Sequence, residues 1–120
     1  MLNLKPLELE GGYFSETYRS RTRIPADRRG QRPCSTAIYY LLTPDTFSAL
    51  HRLRSDEVFH FYAGDPVEML LLRPGGQSEV LVLGNDLARR RRPQVIVPRG
   101  VWQGARLARG GQWALLGTTV

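Results

Sequence analysis

His51 and Glu57 are the residues of this chain whose types and spacing best suit chemistry. A carboxylate beside an imidazole holds the ring in one tautomer and prepares it to take or give a proton, which is general acid–base catalysis. Proteins also use this pairing for structural reasons, so the sequence leaves both interpretations open. Glu16 and Tyr18 form a second polar–aromatic pair, and we expect Glu16 to contact a ligand in the same cavity.

The elements that must position these residues are short strands. Strand-like runs follow one another along the chain, separated at intervals of roughly 8–12 residues by Gly, Pro, Asn and Asp clusters, a spacing typical of a β-sandwich or barrel. No stretch keeps a helical period, so little helix is expected. The sequence predicts an all-β fold with strands at residues 13–21, 36–42, 47–53, 57–63, 67–73, 78–83, 94–97, 101–108 and 113–119.

The domain organisation follows from the length. A chain of 120 residues holds one core, and no linker divides it, so residues 1–120 are predicted to be a single domain. Residues 1–12 are interpreted as an entry arm. Residues 22–34 contain Pro25, Gly30 and Pro33 among several arginines and are predicted to be a long exposed loop.

No membrane partner is expected, because no apolar run approaches the roughly 20 residues that cross a bilayer. No signal peptide is visible at the N-terminus. Cys34 is the only cysteine, which excludes an internal disulfide. These features together predict a cytoplasmic location.

Strand alternation assigns a face to His51. Its side chain shares one side of the strand with Phe47, Ala49 and Leu53. Because these neighbours are apolar, we expect this face to look into the interior of the barrel.

The next strand carries a second set of inward residues. Alternation places Glu57, Phe59 and Phe61 on one face, where they are expected to line the same cavity as His51. His60 then points outward, unless a β-bulge shifts the register.

The net charge of +6 suggests a polyanion as a partner. The densest basic run is the four consecutive arginines at residues 89–92. It lacks the interleaved aromatic residues that a base-stacking surface needs, so we interpret it as a solvated loop and do not expect nucleic acid as a partner. The alternative is a non-enzymatic module that binds an anionic partner through Arg-rich loops at residues 21–32 and 89–92.

Two motifs frame the candidate site. His51 and Glu57 keep the spacing of a histidine and a glutamate in the first signature of cupin barrels, and the turn Pro98-Arg99-Gly100 leads to Gln103 as in the second. In cupins, three imidazoles and one carboxylate normally hold a divalent metal. Leu53 and Gln103 occupy the positions of two of those histidines, so the resemblance indicates the fold more firmly than the reaction.

Five collinear blocks extend this resemblance along nearly the whole chain, at residues 10–20, 35–42, 51–57, 60–65 and 97–105. They resemble a small single-domain cupin subfamily long labelled a domain of unknown function. The resemblance implies a cupin double-stranded β-helix, an RmlC-like jelly-roll barrel related to sugar-nucleotide epimerases and commonly a homodimer. Members usually continue further, so the barrel edge after Val120 is expected to be open or covered by a partner subunit.

The resemblance also limits the metal chemistry. If a metal binds, its ligands are His51, Glu57 and Gln103, and one imidazole, one carboxylate and one amide hold Mn or Mg only weakly. No cofactor beyond such a weak divalent metal is expected. The alternative is a metal-free, hydrogen-bonded polar cluster that binds a small organic ligand.

The first functional hypothesis is a cupin-fold protein that binds a sugar-like or acidic metabolite in the barrel, or an isomerase or epimerase that acts on it. In this hypothesis His51 is the base, Glu57 orients it, Gln103 anchors the ligand, and Phe59 and Phe61 pack against the ligand. The alternative enzyme is a metal-dependent, dioxygenase-like cupin. The sequence leaves open whether the protein is an enzyme.

Overall fold

The computed structural model describes residues 1–27 and 30–120. These residues form twelve strands and a short 3₁₀ turn at Leu87–Arg89. The strands are β1 (Lys5–Pro6), β2 (Tyr13–Arg19), β3 (Arg23–Asp27), β4 (Gly30–Pro33), β5 (Thr36–Leu42), β6 (Ser48–His51), β7 (Glu57–Gly64), β8 (Val67–Leu72), β9 (Ser78–Leu83), β10 (Gln94–Val97), β11 (Trp102–Leu107) and β12 (Ala114–Thr119).

Two antiparallel sheets enclose the core. One has six strands in the order β1-β2-β5-β12-β7-β10, and the other has four in the order β6-β11-β8-β9. All nine strands predicted from the sequence are present, with bounds that differ by a few residues at most. The predicted all-β jelly-roll fold with little helix is therefore confirmed.

Alternating side chains form the core between the sheets. In β8, Val67, Met69 and Leu71 are fully buried, while Glu68 and Leu70 on the other face are partly exposed. Burying each side chain of this kind contributes roughly 1.5–3 kcal/mol, so the alternation fixes the register of the strand. The described part of the chain contains no helix of the length and apolarity that crossing a bilayer requires.

The described residues of the segment 22–34 contain two strands, β3 and β4, where the sequence analysis predicted a loop, and residues 28–29 lie outside the described residues. Strand β3 pairs with β4 in a separate antiparallel ribbon with a register shift between Pro25 and Asp27. Pro25 and Pro33 misled the sequence interpretation, because a two-stranded ribbon has two unpaired edges where proline is tolerated. The predicted entry arm also contains a strand, since β1 pairs with β2.

The C-terminal strand lies in the middle of the larger sheet. Strand β12 pairs with β5 on one side and β7 on the other, and Val120 and Thr36 exchange two backbone hydrogen bonds of 2.9 Å. Strand β12 therefore does not form an edge of the sheet, which answers the question of the barrel edge after Val120 that the sequence left in doubt. Among the described residues, the edges of the two main sheets are β1, β10, β6 and β9.

Candidate functional site

Strand β7 carries Glu57 into the interior. Glu57, Phe59 and Phe61 are buried on one face of β7, as the alternation predicts. His60 lies on the opposite face, with Nε2 3.3 Å from Oγ1 of Thr119, so it points away from the interior.

Strand β6 brings His51 to the same region through a β-bulge. Gln103 of β11 pairs with His51 and Ala105 pairs with Ser48, so two residues of β6 stand opposite one residue of β11. The extra residue shifts the alternation along β6. Ser48 is therefore buried and lines the same cavity as His51.

The bulge explains an incorrect prediction. Phe47 and Ala49 were expected to face inward with His51, but Phe47 is 61% exposed and Ala49 lines a groove outside the barrel. Gly104 stands opposite the bulge, where a Cβ would lie 3.3 Å from the side chain of Leu50. A residue without a side chain at this position leaves room for the bulged strand.

Backbone geometry fixes the tautomer of His51. Nδ1 of the ring lies 2.7 Å from the carbonyl oxygen of Ala49. Because a carbonyl oxygen can only accept, Nδ1 must carry the proton, and Nε2 of the neutral ring is left as an acceptor. Nε2 lies 3.8 Å from Oε2 of Glu10. The group that orients His51 is thus the Ala49 carbonyl, whereas the sequence interpretation gave that role to Glu57.

The carboxyl group of Glu57 lies in a mixed environment. Burial raises the pKa of Glu57, while hydrogen bonds from Gln103 and Thr118 and the nearby His51 lower it, and the charge of Glu10 raises it. Burial is the largest of these effects, so the pKa of Glu57 lies above its usual value. Glu57 consequently holds its proton to a higher pH than an exposed glutamate does.

Gln103 forms a hydrogen bond with Glu57 inside the barrel. Its side-chain nitrogen Nε2 donates to Oε1 of Glu57 at 2.8 Å, and the residue is only 1% exposed. Gln103 does not line the cavity beside His51. Its position suits the anchoring of Glu57 better than direct contact with a ligand.

A cavity of about 20 Å³ lies beside His51 and Glu57. This volume holds one water-sized group. Phe59 forms part of the apolar wall. The polar lining consists of Glu10, Tyr40, Ser48, His51, Glu57 and Thr118.

Two residues predicted to bind a ligand lie elsewhere. Phe61 is buried in the core but does not line the cavity. Glu16 is exposed and forms an ion pair of 2.8 Å with Arg19. The structure thus brings His51, Glu57 and Phe59 together at the cavity and leaves these two outside it.

Residues 7–12 form a loop, here called the N-terminal loop, that closes the cavity. The carbonyl of Glu10 accepts from the Ala49 amide at 2.6 Å, and the carbonyl of Gly11 accepts from the Tyr40 hydroxyl at 2.6 Å. Gly12 has a φ of +77°, and a Cβ there would lie 2.7 Å from the Tyr40 hydroxyl oxygen. The double glycine therefore allows the loop to approach the barrel closely.

Sequence reasoning missed Glu10, Tyr40, Ser48 and Thr118 as site residues. Tyr40 is one of three hydroxyl-bearing residues of β5, and the sequence alone does not distinguish it from Thr36 and Tyr39. Burial raises the pKa of Tyr40 to about 12, with smaller raising effects of Glu10 and Glu57 and a lowering bond with Ser48. The carboxylate of Glu10 comes from an arm without periodicity, so no local pattern pointed to it.

The donor set around Glu57 does not suit a transition metal. Gln103 turns its amide nitrogen, which cannot act as a ligand, toward the carboxylate. Leu53 supplies no donor atom. Across residues 1–27 and 30–120, no group of three His, Cys, Asp or Glu side chains is arranged to hold a metal ion. The residues present therefore do not fit the metal that the cupin signature implies.

A larger cavity, here called the outer groove, lies on the outside of the four-stranded sheet. Its volume is about 750 Å³. Its lining includes apolar side chains and one ion pair of 3.4 Å between Arg106 and Glu68. We define the outer groove by Phe47, Leu50, Glu68, Leu70, Val80 and Arg106.

The arginine run at residues 89–92 connects β9 to β10 through the 3₁₀ turn. Arg89 forms an ion pair of 3.4 Å with Asp86, and Arg91 packs against Gly84. The basic hairpin at residues 23–33 is described only in part, because residues 28–29 of the predicted anion-binding loop lie outside the described residues.

A family model and sequence relatives match this chain. The model of a cupin superfamily family, DUF985, matches residues 1–120. An uncharacterized protein of Saccharomyces cerevisiae is 31% identical over 104 residues, which covers 78% of this chain and 52% of the yeast protein. The chain thus spans about half the length of that relative.

Solved structures share the fold. A hypothetical protein from Leishmania major matches with a TM-score of 0.89 and 31% identity, covering 99% of this chain and 76% of that chain. A protein from Shewanella oneidensis matches with a TM-score of 0.86 and 35% identity, covering 99% and 72%. Oxalate decarboxylase of Bacillus subtilis, a protein with Mn(II) centres, matches with a TM-score of 0.65 and 14% identity, covering 98% and 27%, which shows the fold alone.

Proposed function

The chain belongs to the DUF985 family of the cupin superfamily, and from this premise we propose that it binds a small organic ligand beside His51 and Glu57. The observation that carries the proposal is Nε2 of His51, whose contact with Glu10 at 3.8 Å is longer than a hydrogen bond. The other ring nitrogen, Nδ1, is hydrogen-bonded to the Ala49 carbonyl at 2.7 Å. Nε2 therefore faces the cavity as a base. A buried carboxyl group with a raised pKa borders the same small space.

The N-terminal loop controls access to this site. The cavity holds one water-sized group while the loop is in place, so one functional group of a ligand enters and the rest lies toward solvent beside Glu10. The side chain of Glu10 is 39% exposed, whereas that of His51 is 18% exposed. The direction from His51 past Glu10 is therefore the direction of ligand entry.

We extend the proposal to an isomerase or epimerase. Nε2 of His51 removes the proton from a carbon next to a carbonyl group, and the electron pair of the broken C–H bond passes toward the carbonyl oxygen to give an enediolate. Return of a proton to that carbon or its neighbour completes the reaction, so no oxidant or reductant is needed. In this proposal Glu57, whose pKa is raised by burial, supplies that proton.

Thermal-shift screening of sugars, nucleotide sugars and organic acids tests the binding proposal. A ligand at about 100 times its Kd adds about 2.7 kcal/mol to the free energy of unfolding. We expect His51→Ala to lose the shift that the parent protein shows. If no compound shifts the parent more than it shifts the variant, the proposal fails.

Hydrogen exchange tests the isomerase proposal separately. Removal of a proton from carbon in D₂O places deuterium in the ligand, which mass spectrometry detects. If a ligand binds at His51 but gains no deuterium at carbon, the isomerase proposal is wrong and the binding proposal stands.

We also propose that two copies of the chain pair through the outer groove. Phe47 and Val80 are 61% and 62% exposed there, and β9 presents an unpaired strand edge. Glu68 and Arg106 put one charge of each sign on this face, so two copies related by a twofold axis can pair them reciprocally. The cytoplasmic location stays a prediction from the sequence.

A further inference from the structure

We propose that the cavity beside His51 receives an uncharged hydroxyl group, so that the ligand is a polyol or sugar rather than an acid, with Glu10 as the residue that determines this specificity. The inference rests on the proposed function, because it names the ligand class of that site. It separates the two classes, sugar-like and acidic, between which the sequence could not choose.

The charges around the cavity disfavour an anion. Two carboxyl groups line it, those of Glu10 and Glu57, and the lining among the described residues includes no lysine or arginine. A ligand carboxylate would bring a third acidic group into this space, with only His51 as a potential cation.

The hydrogen-bonding groups require a donor. Nε2 of His51 and Oε2 of Glu10 lie 3.8 Å apart, and in the ring tautomer that the Ala49 carbonyl selects, Nε2 carries no proton and can only accept. The Tyr40 hydroxyl donates its proton to the Gly11 carbonyl, so it offers no donor to the site. A hydroxyl group fills this need, because it can donate to Nε2 or to Glu10 and can still accept a further bond.

The volume points to the same group. A cavity of about 20 Å³ accommodates a single oxygen with its proton. A carboxylate has three heavy atoms and does not fit while the N-terminal loop is in place. The loop itself already presents a carboxylate to His51, in the form of Glu10.

Three probes with the same three-carbon scaffold test the inference: glycerol, glycerate and 2-amino-1,3-propanediol. They carry no charge, a negative charge and a positive charge respectively. Their dissociation constants are measured by NMR titration of the parent protein and of Glu10→Gln, Glu8→Gln and His51→Ala. Glu8 lies on the same loop but is exposed and does not line the cavity, so Glu8→Gln is the matched control for the loss of one charge.

We expect the parent to bind glycerol more tightly than glycerate, because the glycerate carboxylate would lie beside that of Glu10, whereas the amine tests whether the site prefers a cation. Glu10→Gln should move the preference toward glycerate by roughly tenfold, because it removes the carboxylate charge of Glu10 beside the site, whereas Glu8→Gln should leave the ratio within about twofold. His51→Ala should abolish binding of all three probes at this site.

Three results would overturn the inference. If glycerate or the amine binds the parent as tightly as glycerol does, and His51→Ala abolishes that binding, the ligand site stands and the uncharged ligand class is wrong. If Glu8→Gln changes the ratio as much as Glu10→Gln does, Glu10 is not the specificity residue. Binding of no probe, together with no hit in the thermal-shift screen, refutes the site and this inference together.

Discussion

The side-chain amide of Gln103 donates to the carboxyl oxygen Oε1 of Glu57 at 2.8 Å, and this bond joins the two sheets across the interior of the barrel. Gln103 lies on β11 of the four-stranded sheet, and Glu57 lies on β7 of the six-stranded sheet. In this chain the cupin position that usually supplies an imidazole instead supplies a donor to a buried carboxyl group. The site is therefore arranged around the positions of protons and not around a metal ion.

Replacement of Gln103 by leucine should destabilise the fold. The substitution leaves the buried Glu57 carboxyl without its Gln103 donor, which costs about 1–3 kcal/mol of unfolding free energy. Urea denaturation measures the loss, and Gln94→Leu on the exposed face of β10 is the control, with an expected change within about 0.5 kcal/mol. In a double-mutant cycle, Glu57→Gln should reduce the cost of Gln103→Leu. Equal costs in both backgrounds would mean that the two side chains are not coupled.

Glu57 should make the stability depend on pH. Because the pKa of Glu57 in the folded protein lies above its usual value of 4.5, the folded state binds this proton more tightly than the unfolded state does. The contribution is fully present below pH 4.5 and is lost as the pH rises through the folded-state pKa. Denaturation of the parent and of Glu57→Gln across pH isolates it, and the parent should lose stability relative to the variant as the pH rises. A constant difference across this range would contradict the raised pKa.

Part of this site could be predicted from the sequence, and the part that could not has physical causes. The inward face of Glu57 and Phe59 was readable because β7 keeps an unbroken two-residue period between two neighbouring strands. The face of Phe47 was not readable, because the bulge in β6 depends on pairing with Gly104, more than fifty residues away. Glu10 reaches the cavity through loop closure, which leaves no periodic trace in the sequence.

The N-terminal loop should be sensitive to a methyl group at Gly12. Gly12→Ala places a Cβ 2.7 Å from the Tyr40 hydroxyl oxygen at a φ of +77°, so the loop must shift away from the cavity. Gly110→Ala is the matched control, since its φ is +84° but nothing lies within 4 Å of the new Cβ. The control should cost about 1 kcal/mol, from backbone strain alone.

Hydrogen exchange at the Ala49 amide, which bonds to the Glu10 carbonyl, reports on the loop. Gly12→Ala should cost more stability than Gly110→Ala and should also accelerate this exchange. If the two variants lose the same stability and leave Ala49 equally protected, the loop is not held against Tyr40 as described.

The outer groove should mediate self-association. Val80→Arg introduces a charge into the groove, whereas Leu87→Arg changes a side chain of similar exposure, 67% against 62%, outside it. Light scattering should show twice the chain mass for the parent and for Leu87→Arg, and a monomer for Val80→Arg. A monomeric parent, or a dimer that survives Val80→Arg, contradicts the interface.

The state of His51 tests the central claim most directly. The chain has two histidines, so long-range ¹H–¹⁵N NMR of labelled protein, with His60→Gln to assign the signals, identifies the protonated nitrogen of His51. The account predicts a ring with its proton on Nδ1, held by the Ala49 carbonyl, and an Nε2 signal that moves when glycerol is added. A ring protonated on Nε2, or an Nε2 signal that no ligand moves, would contradict it.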